Sequence, residues 1–250
     1  MRDIAQIISA DQSLSARLLR LVNSAFFGFP SKIDTISHAV TIIGKKQLRD
    51  LALATSVIQM FRGIPSHLIQ VRPFWEHSIG CGIASRLLAS FHKVPNIEQF
   101  FVTGLPHDIG RLILYNHNPE QAKEALTQSS ETGKFLHLSE RAVMSYEHAD
   151  VGGLLLSEWR LPKSLEDAVR FHHRPGRSRQ FPLESSITHV ADLITNALEM
   201  GTSGEHFVPA LEVSAWVEIG LSASVIGPLT QQMDQQFHDT ADLFLKDIVR

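Results

Sequence analysis

Cysteine is nearly absent: Cys81 stands alone among 250 residues. That excludes an internal disulfide framework and fits a reducing compartment. Cys81 lies in a run of small and apolar residues and reads as packing rather than as a nucleophile. No apolar run reaches the roughly 18 residues that a membrane span needs, and no signal-peptide pattern opens the chain. The expectation is a cytoplasmic protein without a membrane partner. A basic excess is lacking too. The 23 Lys and Arg are well mixed with 26 Asp and Glu, for a formal net charge of −3. This argues against a nucleic-acid partner, which needs a basic stripe. Internal repeats and low-complexity tracts are missing as well. What the chain does have is 44% hydrophobic residues, enough for one large core or two subdomains, and 13 histidines.

Apolar residues recur at helical spacing and predict an all-α fold. Asp11 reads as the N-cap of a helix from Gln12 to about Ser24, with Leu14, Leu18, Leu21 and Val22 on one stripe. Phe26 to Pro30 breaks it. Asp34 or Thr35 caps a helix over about 36–43, Gly44 ends that, and another runs from Lys45 to Phe61. Gly63 to Ser66 reads as a turn. A helix over about 74–92 presents the small residues Gly80, Gly82, Ala84 and Ser85 to a close neighbour. A helix from about Ile97 is expected to run into His107-Asp108. Further helices are expected over about 119–126, 138–146, 165–172 and 184–200. Arg174 to Gln180 reads as a mobile basic loop. A terminal amphipathic helix carries Met233, Phe237, Leu243, Phe244 and Ile248, with Pro228 a possible early break.

The chemistry concentrates in Thr103-Gly104-Leu105-Pro106-His107-Asp108-Ile109-Gly110-Arg111. An adjacent imidazole and carboxylate can face one divalent ion, and the carboxylate can bridge to a second. The bland alternative is a helix end whose His and Asp satisfy backbone groups. His77, His148, His172, His173, His189 and Asp192 lie on helix-like segments around it.

This set and its order resemble the HD superfamily of metal-dependent phosphohydrolases, and most closely its signalling branch, the HDOD (HD-related output) domain. The string Leu18-Leu19-Arg20-Leu21-Val22-Asn23-Ser24-Ala25-Phe26 and the Gly44-ended helix after Ile36 look like the HDOD opening. His148, a Gly-started helix and Trp159-Arg160-Leu161-Pro162 look like a later family motif, and His189-Val190-Ala191-Asp192 like the final one. The resemblance implies a metal shell of His77, His107, Asp108, His148, His172, His173 and Asp192, holding one or two ions of Fe, Mn, Mg, Zn or Ni. His189 would support that shell from outside. It also implies an N-terminal helical bundle (1–66) packed on an HD-type metal-site subdomain (67–200), with C-terminal helices (201–250) on the bundle. Pro106 stands where HD enzymes usually have Leu. Arg111 stands where HD-GYP enzymes have Lys, and Arg174-Pro175-Gly176-Arg177 replaces the Gly-Tyr-Pro signature.

Two functions follow from the resemblance. One is a signal-transduction output domain, as in a response regulator. It would take its input from an upstream receiver or sensor domain and act on a downstream signalling protein, with a nucleotide or cyclic dinucleotide as a possible ligand and oligomers possible. The other is a phosphohydrolase acting on nucleotides or cyclic dinucleotides. There Asp108 would bridge the ions, Arg111 would steady the phosphate and His173 would handle a proton.

Overall fold

A computed structural model describes residues 4–24, 27, 29, 31–61 and 68–245. Fourteen α-helices and no strand occur among them. They are α1 (Ile4–Ala10), α2 (Gln12–Val22), α3 (Ile36–Ile43), α4 (Lys45–Met60), α5 (Val71–His92), α6 (Glu98–Gly104) and α7 (Ile109–His117). There follow α8 (Pro119–Thr132), α9 (Leu136–Met144), α10 (His148–Glu158), α11 (Lys163–Phe171), α12 (Pro182–Ala197), α13 (Val213–Ile219) and α14 (Ile226–Leu245). The expected breaks at Phe26, Gly28 and Pro30 and at Gly63 to Ser66 fall outside the described residues, as do the proposed boundary between 66 and 67 and Ile248.

The N-terminal helices form as their caps and stripes predict. The Asp11 carboxylate accepts from Leu14 N at 2.9 Å, and of the two candidate caps for α3 it is Thr35 that accepts from His38 N. Leu18, Leu21 and Val22 are buried. Helix α4 carries this set onto α6, and α14 lies against both α2 and α5. One apolar core runs through both ends of the chain, from Leu18, Leu48 and Leu51 to Phe74, Trp75 and Phe101.

Helix α5 is central, with α6, α12 and α14 around it. Its small residues let those neighbours approach. A methyl group on Gly80 would lie 2.7 Å from Thr195 Cγ2, and one on Gly82 2.9 Å from the Phe101 ring. Three expectations need correction. The helix before His107 stops at Gly104, and residues 105–108 form a turn before α7. Pro106 supplies no N–H there, and the His107 ring engages Gly104 O at 2.8 Å. Pro228 does not break the last helix. It sits in the first turn of α14, where its missing N–H has no intrahelical partner to lose. The basic stretch after His173 is also shaped: residues 175–177 make a 3-10 turn with Pro175 buried, and Arg174 pairs with Glu147.

Candidate metal centre

Helices α7 and α10 touch through their backbones. A Cβ on Gly110 would collide with His148 O and come within 2.8 Å of Gly152 N. Only glycine permits this approach, and it brings Asp108, just before α7, beside His148, the first residue of α10. The Asp108 Oδ1 to His148 Nε2 distance is 2.9 Å.

All seven expected ligands converge. His77, His107 and Asp192 form one group and His148, His172 and His173 a second. Within each group one ligand atom per residue lies within 4.8 Å of the others. Asp108 stands between them. Its Oδ2 is 3.3 Å from His107 Nε2 and 3.7 Å from His77 Nε2, while Oδ1 faces His148 and lies 3.8 Å from His172 Nε2. His77, His107, Asp108, His148, His172 and Asp192 are buried, and His173 is half-buried.

The residues fit a divalent cation. Both ring nitrogens of His77 and the Nε2 of His107 are buried without a hydrogen bond. Buried ring nitrogens of this kind carry a desolvation cost, which a cation would remove for the one that holds the lone pair. The opposite ring nitrogens are fixed elsewhere: His107 Nδ1 by Gly104 O, His172 Nδ1 by Val169 O at 2.7 Å and His148 Nδ1 by Glu140 at 2.6 Å. Such contacts orient ligand imidazoles. His189 acts through the backbone, its Nδ1 2.7 Å from His172 O while Glu212 N donates to its Nε2.

Burial and neighbouring charges shift proton affinities within the cluster. Burial opposes charge on Asp192, but the His107 and His77 rings beside it outweigh burial and hold the carboxyl well below its ordinary range. For Asp108, Arg111, His107 and His148 outweigh burial in the same direction. Burial and the Arg111 guanidinium oppose charge on His148, yet Glu140 and Asp108 lift it to about 9. His172 is held well below the ordinary histidine range by burial and by the neighbouring His107 and His148.

Arg111 is buried and engaged on all sides. Its guanidinium lies 3.3 Å from Asp108 and 3.4 Å from Glu140, and it also donates to Ser203 O and Oγ. Tyr115 donates to the same carbonyl at 3.0 Å. Glu140, Ser203 and His137, whose ring stacks on His173, have no counterpart in the sequence reading. Glu140 is eight residues from His148 and Ser203 is 92 from Arg111, so no local spacing marks them.

A family model for the HDOD domain matches residues 1–175, and the chain belongs to the HDOD family. An uncharacterized protein of Treponema pallidum (strain Nichols) is 27% identical over 174 residues, which is 69% of this chain and 33% of that protein. The chain thus spans about a third of the length of this relative. The fold is similar to that of an HDOD domain protein with unknown function from Geobacter sulfurreducens. The TM-score is 0.79 at 21% identity, over 97% of this chain and 85% of that one. It is also similar to a candidate phosphohydrolase from Shewanella amazonensis SB2B, with a TM-score of 0.75 at 23% identity over 98% and 86% of the two chains. No single helix among the described residues is long and apolar enough to cross a membrane.

Proposed function

We propose that this chain is a signal-transduction output domain that keeps one or two divalent ions in its core and works through protein or nucleotide contacts rather than turnover. The observation that carries this reading is the sealing of the ligand set. Six of the seven ligands are buried, and the Arg111 guanidinium is committed to Asp108, Glu140 and Ser203 instead of facing a phosphate. The donor set is rich in imidazole and lacks thiolate, which favours Fe, Zn or Ni over Mg. An upstream receiver or sensor domain and a downstream signalling protein are the partners this role requires. The test is elemental analysis of the purified full chain, then a phosphodiesterase and nucleotidase panel with Mn²⁺ or Fe²⁺. Bound metal without turnover is expected. Turnover that disappears in His107→Ala and Asp108→Ala would overturn it.

The second reading is a metal-dependent phosphohydrolase on nucleotides or cyclic dinucleotides, favoured by Asp108, whose two oxygens are divided between the two groups. Divalent ions there would supply Lewis acidity to a phosphate ester. The chain's own part would be charge neutralisation by Arg111, once released from Ser203, and proton transfer at His173, the half-buried member of the set. A protein inert on every substrate would remove this reading.

A further inference from the structure

Helix α9 supplies no ligand atom to either group, yet two of its side chains touch the second one. Glu140 meets the His148 ring at 2.6 Å. His137 lies three residues earlier, on the same face of the helix. Its ring stacks on His173 with centroids 4.0 Å apart and planes 17° apart, and Phe135 continues the column at 6.0 Å and 9°.

His173 needs a brace of this kind. His107, His148 and His172 each have the far ring nitrogen hydrogen-bonded. His77 lacks that bond but is wholly enclosed on α5. His173 is half-buried, and among the described residues its Nδ1 has no hydrogen bond. Its Nε2 lies 3.1 Å from His148 Nε2. The rings of His148 and His172 meet it edge-on or tilted, at 89° and 48°, and among the described residues only His137 lies flat on its face. A parallel ring stacked on the face of His173 points its own lone pairs along a different plane, so it orients the ligand without joining the same ion. The Nδ1 of His137 is buried without a partner, as expected of a ring used for its face rather than its nitrogens.

We infer that His137 is a positioning residue: it holds the His173 ring in place by face-to-face stacking, so that α9 braces two ligands of the second group through Glu140 and His137. This rests on reading His148, His172 and His173 as a metal group. Two variants separate its meanings. His137→Ala removes the ring, and His137→Phe keeps a flat ring without nitrogens.

The test uses the full chain stripped of metal, with far-UV circular dichroism and a thermal melt to confirm that both variants fold. Two-bond proton–nitrogen correlation spectra report the histidine rings. The His173 ring protons should show a ring-current shift in wild type and His137→Phe that is lost in His137→Ala. In Mn²⁺ binding isotherms, His137→Ala should weaken one of two sites about 10-fold or more, and His137→Phe should stay within about 3-fold of wild type. A His137→Ala protein matching wild type in both measurements would overturn the inference. So would a His137→Phe protein as impaired as His137→Ala, which would make the nitrogen and not the stack essential. Wild type that takes up no Mn²⁺ would remove the metal reading alone, and the ring shifts would still decide the stacking.

Discussion

The two groups of candidate ligands are held by different means. His77, His107 and Asp192 come from α5, the turn before α7, and α12, helices pressed together in the core by Gly80 under Thr195 and Gly104 against Ser85 and Cys81 O. Several of their nitrogens have no hydrogen bond, and one side chain, Asn196, donates to Asp192 at 2.7 Å. His148, His172 and His173 come from the start of α10 and the end of α11. Polar and aromatic side chains of α9 reach across to brace them. The first group should therefore answer mainly to core packing and to Asn196, whereas the second should answer to the braces of α9.

Asp108 belongs to both groups, so its removal is expected to have the largest effect. Asp108→Ala should abolish binding of both ions, a loss of about 100-fold or more read by elemental analysis and Mn²⁺ titration. Retention of either ion at near wild-type affinity would separate that group from Asp108. Gly110→Ala should come next. The added methyl meets His148 O, so α7 and α10 must part. A loss of about 1–3 kcal/mol in chemical denaturation is expected, with the second group weakened more than the first. Glu140→Gln should lower the affinity of one ion by about 10-fold and leave the other unchanged, since Glu140 touches His148 and no member of the first group. Equal weakening of both ions would erase the distinction between packed and braced groups.

A remote change should touch neither group. Burial lifts the Glu98 carboxyl above its ordinary range in spite of Arg86. The fold then takes up a proton there more readily than the unfolded chain. That contribution is complete below the ordinary glutamate pKa and is lost as pH rises through the lifted value. Glu98→Gln should flatten the decline of melting temperature just above pH 4.5, an effect below about 1 kcal/mol, and leave the Mn²⁺ isotherms unchanged.

The seven candidate ligands were picked out by the family resemblance, helped by short local motifs such as His107 beside Asp108, His172 beside His173 and His148 opening a glycine-containing helix. Their division into two groups was not, because it depends on how α5, α7, α10 and α12 cross. The helix ends were legible where a side chain caps them, as at Asp11 and Thr35. The stop at Gly104 was missed because Pro106 acts together with the ring of its own neighbour, His107. His137 lies just outside the helix expected from Leu138, and Ser203 is in a loop whose composition signals only flexibility. Arg111 was legible as a cation near the site, but its commitment to Ser203 depends on tertiary structure.

Asp192 lies beyond the stretch matched by the family model, which ends at residue 175. So does α14, whose Phe237 lies over Gly80 and whose Phe244 lies 5.6 Å from Phe101, both beside the helix that carries His77. The hallmark of the family and the completion of its centre are thus carried by different lengths of polypeptide. A chain shortened to residue 175 would keep the signature and lose both Asp192 and the aromatic packing over α5.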